Sequence, residues 1–337
     1  MKTSVHSTLS HPCGAASLLA SLLLIATGPW ASGIILQAPT VTSSATPFDA
    51  SFNASNTVDG TDGEYASQGQ GVNTFIEYSF GSPQTFDKIV VVNRDSPGQS
   101  DLIANFTLTL DGGLTRSVTR TPLRGSSEIH SLGGLITATT VRLDVDTIGT
   151  GDAFNNTGAM EVLFVRTPAG HTPLTATIFA AAPAFDPSYG VDNAIDAIVG
   201  RDTSGTSDRP EYASASLGAG TFVDFDFGAP RLVGGFDFFD RIAAADRITG
   251  YDLIFSLDST FGDAGDVVKS YTSSTIGSSD VFNAVNARYV RFDVTSHAGA
   301  ANANTGISEI VFYQVPEPSV IGLCAFALAA LGLRRRR

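Results

Sequence analysis

The chain is written twice. Glu64-Tyr65-Ala66-Ser67 returns as Glu211-Tyr212-Ala213-Ser214, and TFIEYSFGSP (74–83) returns as TFVDFDFGAP (221–230), both 147 residues later. Further on, Val141-Arg142-Leu143-Asp144-Val145 is matched by Val290-Arg291-Phe292-Asp293-Val294. Asn156-Thr157-Gly158 with Glu161 is matched by Asn304-Thr305-Gly306 with Glu309. The order is kept, and the separation drifts by one or two residues. A period of this size is a duplicated domain, whereas solenoid units repeat every roughly 20 to 50 residues. The boundary falls in 167–173, where paired prolines and a glycine suit a short linker.

Both copies read as strands. Ile76, Tyr78 and Phe80 alternate with Glu77 and Ser79, and Val223, Phe225 and Phe227 alternate with Asp224 and Asp226. Phe106, Leu108 and Leu110 keep the same period, as do Val290, Phe292 and Val294. Alternation of period two sets one face in a core and the other in water. Polar, glycine-rich turns separate the runs, and no amphipathic helical pattern stands out. The expectation is an all-β chain of two tandem domains, each a β-sandwich or barrel.

The two ends lie outside this pattern. Lys2, an apolar run from Ala15 to Ala26 and the small residues Ala31-Ser32-Gly33 have the layout of a secretory signal peptide, here 1–33. A retained N-terminal anchor is the alternative. At the other end come Pro316-Glu317-Pro318, an apolar stretch from Val320 to Leu333, and Arg334, Arg335, Arg336 and Arg337. An apolar run closed by arginines stalls in a membrane with the basic cluster on the cytoplasmic side. Both cysteines, Cys13 and Cys324, and the sole tryptophan, Trp30, fall in these terminal segments. The body therefore folds without a disulfide although its ends predict export. Lys2 and the four terminal arginines carry five of the 20 basic residues, and all 33 acidic residues lie between them. The body is thus more acidic than the chain's −13, which argues against nucleic acid as a partner. The five histidines are scattered and none is at ligand spacing, so zinc is not expected.

The carboxy-terminal layout resembles the PEP-CTERM sorting signal, 315–337. That resemblance implies recognition and cleavage by an exosortase, after a signal peptidase has acted at the other end; a plain C-terminal membrane anchor is the alternative. Each body copy resembles a discoidin, coagulation-factor type C or galactose-binding jelly-roll module. The landmarks run in order. Thr57-Val58-Asp59-Gly60 and Ala194-Ile195-Asp196-Ala197 come first, then the Glu-Tyr-Ala-Ser segments, then a strand ending in Phe-Gly. A late Tyr289-Val290-Arg291-Phe292 strand follows, and Glu161 and Glu309 open the last strands. The organisation implied is a signal peptide 1–33, a first sandwich 34–166, a linker 167–173, a second sandwich 174–314 and a sorting tail 315–337. Two departures stand out: the second copy has Ala197 where the first has Gly60, and neither body copy has the family's usual tryptophan.

The resemblance implies one calcium per module, where a first-loop carboxylate meets a last-strand glutamate. It assigns Asp59, Asp62 and Glu161 in copy one, and Asp196, Asp202, Thr203 and Glu309 in copy two. The alternative is that these aspartates are turn residues that bond their own backbone. The resemblance also implies a glycan site on the recognition loops. Asn93-Arg94 and Asp240-Arg241 follow equivalent apolar strands, and a guanidinium fork suits paired sugar hydroxyls or a uronate. Tyr65, Tyr212 and Phe154 are the aromatic partners on this reading, and ion pairing in loop support is the alternative role for the arginines. The body has no Gly-x-Ser-x-Gly elbow, no cysteine nucleophile and no His-Glu-x-x-His. The expectation is a non-enzymatic surface or matrix protein with tandem glycan-binding or adhesion modules and extracellular polysaccharide as partner. A calcium-braced structural protein without a glycan site, and an exported glycan-processing enzyme, are the alternatives.

Overall fold

A computed structural model describes residues 35–315, apart from 37–38, 96–100, 151–153, 201–209 and 274. The expected signal peptide, the Pro316–Pro318 motif, the apolar tail with its arginines, and the expected ligands Asp202 and Thr203 lie outside the described residues. No helix among the described residues is long and apolar enough to cross a membrane.

The described residues are all-β, with only short 3-10 turns between strands. The N-terminal lobe contains β1 (Thr40–Ser44), β2 (Phe75–Asn93), β3 (Ile103–Leu110), β4 (Leu114–Thr119), β5 (Ser126–Glu128), β6 (His130–Ile148) and β7 (Ala159–Val165). The C-terminal lobe contains β8 (Thr172–Pro173), β9 (Thr177–Ala181), β10 (Ile198–Gly200), β11 (Tyr212–Ala213), β12 (Phe222–Asp240), β13 (Ile248–Ser256), β14 (Val267–Thr272), β15 (Gly277–His297) and β16 (Gly306–Gln314). One sheet runs β1-β2-β6-β3-β4 with β7 on β2. The other runs β11-β16-β12-β15-β13-β14 with β9 on β12 and β8 on β16. Thr172 and Pro173, read from sequence as linker, pair with Gln314 and Tyr313 and so join the second sheet.

Each sheet folds onto itself through its long strands. The register of β2 against β6 slips between Ser79 and Gln84, and that of β12 against β15 between Asp226 and Arg231. Tyr78, before the slip, then packs edge-on to Phe164 of β7 with ring centroids 5.7 Å apart. Phe225 meets Phe312 of β16 in the same way at 5.3 Å. The alternating residues fill the space between the layers: Ile76, Tyr78, Phe106, Leu108 and Leu143 in one lobe, Val223, Phe225, Tyr251, Phe292 and Phe312 in the other. Phenylalanine and tyrosine rings supply the bulk that the bodies lack as tryptophan.

A third apolar cluster joins the lobes. Val90 and Val92 of β2, Met160 and Val165 of β7, Val199 of β10, Phe239, Ile242 and Tyr313 are buried together. Beside it β10 pairs antiparallel with β5, Ile198 opposite Glu128 and Gly200 opposite Ser126. A Cβ on Gly200 would sit 2.2 Å from the Gly125 carbonyl oxygen, so only glycine allows this approach. The Ile35 N–H donates to the Ser279 hydroxyl at 2.9 Å, and Lys88 Nζ donates to the Tyr313 hydroxyl at 3.0 Å. The strand β10 lies in the stretch by which the second copy exceeds the first.

Candidate functional site

The first loop of each lobe meets its last strand through a buried glutamate. Glu161 Oε2 accepts the Gly60 N–H at 3.3 Å, and Glu309 Oε2 accepts the Ala197 N–H at 2.8 Å. Gly60 and Ala197 both have left-handed backbones, with φ of 67° and 65°. The second copy thus keeps the loop's shape although alanine is strained there. Burial first, then the charge of Asp59, pushes the Glu161 carboxyl well above its usual range. Burial pushes Glu309 up to about 9 against the pull of the Ala197 N–H. Asp196 is also pushed up by burial, to about 6.

The residue pairs expected for calcium are therefore neighbours: Glu161 with Asp59, and Glu309 with Asp196. All their donor atoms are hard oxygens, which suits calcium. Their carboxylates also serve the loops. Asp59 Oδ1 accepts the Thr61 N–H at 2.8 Å and its hydroxyl at 2.7 Å, and Asp196 Oδ1 accepts the Ile198 N–H at 2.8 Å. Asp62 is engaged in contacts of its own. Among the described residues no three of His, Cys, Asp and Glu converge as metal ligands. A calcium there would complete its six to eight oxygens from carbonyls and water.

The residues expected to contact sugar take other places. Tyr65 and Tyr212 are fully buried, and their hydroxyls donate to the carbonyls of Ala45 (2.8 Å) and Ala182 (2.7 Å). Asn93 and Asp240 are fully buried too. Asn93 exchanges two hydrogen bonds with the backbone of Ile103, and Asp240 accepts from the N–H groups of Arg241 and Ile248. Arg94 and Arg241 lie under the loops. Arg94 pairs with Glu64 at 3.0 Å and Asp101 at 3.3 Å and donates to the Asn156 carbonyl at 2.6 Å. Arg241 pairs with Glu211 at 2.9 Å and Asp246 at 2.8 Å and donates to the Asn304 carbonyl. These six side chains are too buried for direct sugar contact, and the arginines take the loop-support role. A guanidinium fork between two carboxylates cross-braces three loops. Phe154, by contrast, is 71% exposed.

What the sequence reading missed stands above each arginine. Phe48 is 48% exposed and Phe185 51% exposed. The backbone N–H of Phe48 donates to the Ala66 carbonyl at 2.7 Å, and that of Phe185 to the Ala213 carbonyl at 2.8 Å. Phe48 lies edge-on to Phe52 at 5.9 Å, and Phe52 lies over the Arg94 guanidinium at 5.4 Å. Phe185 lies edge-on to Tyr189 at 5.8 Å, and Tyr189 lies over Arg241 at 5.6 Å. Asp49 and Asp186 each cap the next turn by accepting a serine N–H at 2.8 Å. Each lobe thus holds an exposed aromatic ring on a braced pedestal of aromatic, arginine and two carboxylates. The signal is in the sequence: Pro47-Phe48-Asp49-Ala50-Ser51-Phe52 repeats as Ala184-Phe185-Asp186-Pro187-Ser188-Tyr189. It returns 137 residues on rather than 147, as does Asp59 at Asp196, because the extra loop of copy two lies further along, between Asp196 and Glu211.

Residues 179–310 match the F5/8 type C domain family. That match falls within the C-terminal lobe. Residues 35–164 match a domain of unknown function, DUF7402. Among solved structures, the chain is similar to a fucolectin from striped bass (Morone saxatilis) serum at 13% identity, covering 83% of this chain and 97% of that one, with a TM-score of 0.32. It is similar to the CBM32-1 and CBM32-2 domains of ZmpB from Clostridium perfringens at 11% identity, covering 81% and 92%, with a TM-score of 0.31. It is also similar to an F5/8 type C domain from Bacteroides fragilis at 13% identity, covering 44% and 100%, with a TM-score of 0.33. No match is found among curated proteins. In the C-terminal lobe the pedestal of Phe185, Tyr189 and Arg241 and the loop of Asp196 both lie within the matched segment.

Proposed function

We propose that this is an exported surface or matrix protein, a binder rather than an enzyme. On this reading its two lobes are tandem F5/8 type C modules that bind glycan through exposed aromatic rings. The observation that carries the reading is the repeated pedestal. A phenylalanine held half-exposed at the same place in both lobes, braced from beneath, offers a flat apolar face next to polar loop groups. Singly exposed apolar side chains are ordinary, but a braced pair at equivalent positions suits the C–H face of a sugar ring. Phe154 adds a third ring beside the 68–70 turn, whose Gly69 N–H donates to Asn156 Oδ1 at 3.0 Å. Export, with signal peptidase and an exosortase as processing partners, rests on the terminal sequences. Calcium at the Glu161–Asp59 and Glu309–Asp196 pairs completes the proposal: bound there, it neutralises carboxylates that burial otherwise disfavours.

Glycan-array binding of the exported protein tests the reading, with Phe48→Ala and Phe185→Ala as comparators. Signal from the wild type that falls in each variant, with melting unchanged, supports it. Equal binding by wild type and the double variant would place the site elsewhere, and hydrolysis of any array polysaccharide would make the protein an enzyme.

A further inference from the structure

Two glycan sites on a flexible linker share a polymer at an effective concentration diluted by the linker's freedom, whereas two sites on one rigid body meet it in a fixed geometry. The lobes here are joined by more than the 167–173 segment. The β5–β10 strand pair, the buried cluster around Val90, Val199 and Phe239, and the Lys88–Tyr313 hydrogen bond all cross between them. The N-terminal segment crosses as well, through Ile35 and Ser279. Loop contacts follow suit. Gly60 faces Thr275, where a Cβ would lie 3.4 Å from the threonine side chain, and the Ala197 carbonyl accepts the Ile129 N–H at 3.2 Å. The first loop of each lobe therefore rests on the other lobe. With the lobes docked, Phe48 and Phe185 are still about half exposed, so the junction covers neither platform.

From this we infer that the two lobes act as one preorganised bivalent unit, and that the ligand is a polymeric or densely displayed glycan rather than a single terminal sugar. The inference rests on the glycan reading above. The structural cause is the insert of the second copy: β10 clasps β5 and fixes one platform relative to the other. Linking two sites converts the second binding step into an intramolecular one, and a stiff connection of the right span loses least to conformational freedom.

The test compares a neutral galactan and a mannan, each as polymer and as its tetrasaccharide, binding to the exported protein. Two tetrasaccharides bind per chain, and the polymer binds roughly a hundredfold more tightly or better. Phe48→Ala or Phe185→Ala leaves one tetrasaccharide bound with an unchanged Kd, yet lowers polymer affinity at least tenfold. Gly200→Val and Val199→Asp, two separate ways of opening the clasp, keep both tetrasaccharide sites and lower the polymer advantage at least tenfold. The inference is overturned if each platform variant costs the polymer only about twofold, the statistical loss of one of two independent sites, or if both clasp variants bind polymer like wild type. Absence of saccharide binding by the wild type refutes the glycan reading itself, and bivalency with it.

Discussion

Asp237 sits on the face of β12 that meets the other lobe. Its Oδ2 accepts the Tyr313 hydroxyl at 2.6 Å, and Tyr313 in turn accepts Lys88 Nζ across the junction. Its Oδ1 is buried with no partner among the described residues. Burial raises the carboxyl from 3.8 to about 7; the Tyr313 hydrogen bond and the Lys88 charge pull it back only in part, and Asp87 adds to the rise. The folded protein then holds a proton that the unfolded chain releases at lower pH. Between pH 3.8 and about 7 the native state binds more protons, so stability falls as pH rises through that window. Three pKa units correspond to about 4 kcal/mol once the window is crossed. Asp237→Asn removes the titration while keeping an oxygen for Tyr313. Its amide nitrogen takes the unpartnered side, at a pH-independent cost of about 1–3 kcal/mol. The expected result is therefore a change of slope: the difference between variant and wild type moves in the variant's favour by about 4 kcal/mol from pH 4 to pH 8. At roughly 2–4 °C per kcal/mol for a protein of this size, melting curves resolve it. Parallel melting profiles across pH 4–8 would mean that Asp237 is charged in the folded state, and the account of this junction would be wrong.

Arg241→Ala leaves the buried Glu211 and the partly buried Asp246 without their cation and is expected to destabilise the protein by about 3 kcal/mol in urea titrations; Arg94→Ala does the same to the buried Asp101 and the partly buried Glu64. Gly158→Ala and Gly306→Ala place a Cβ 1.9 Å from the Tyr65 carbonyl oxygen and 2.0 Å from that of Tyr212. Each must shift a strand, and a loss of at least about 1–3 kcal/mol is expected in the same assay. Calcium is expected to raise the melting temperature, and Glu161→Gln with Glu309→Gln to abolish the shift. Because the cation competes with the proton on Glu309, the shift grows as pH rises toward about 9; an equal effect of magnesium would point to charge screening.

The duplication and the alternating strands were readable because both are local patterns, set by spacings of two residues or by whole repeated segments. The meeting of Glu161 with the Asp59 loop, and of Glu309 with the Asp196 loop, was reached through family resemblance, since nothing in the spacing places residues some hundred positions apart together. The arginines were misplaced for a physical reason. An arginine after a strand looks the same whether it faces sugar or faces Glu64, and only the fold brings that acid up from 30 residues earlier. The junction between the lobes left a trace that passed unread. Ile89 to Val92 is apolar without a break, the mark of a strand buried on both faces. Ile89 and Val91 face the core of their own lobe, and Val90 and Val92 face the other lobe. The strands β5 and β10, three residues each, are too short to show any period.

In both lobes the chain arrives and departs at one corner. Ile35 bridges Val165, and the Leu36 N–H donates to the Phe164 carbonyl; in the second lobe Thr172 and Pro173 pair with Gln314 and Tyr313. A lobe built this way is a cassette: it can be spliced between two neighbouring residues of a host chain, or concatenated, without threading anything through anything. What limits the copy number is then the docking face rather than the connection. A third cassette spliced in at 166–171 would fold around its own core, but its Val90 and Val92 equivalents would find the existing faces already taken. It would hang as an independent bead, binding without sharing the fixed geometry of the first two.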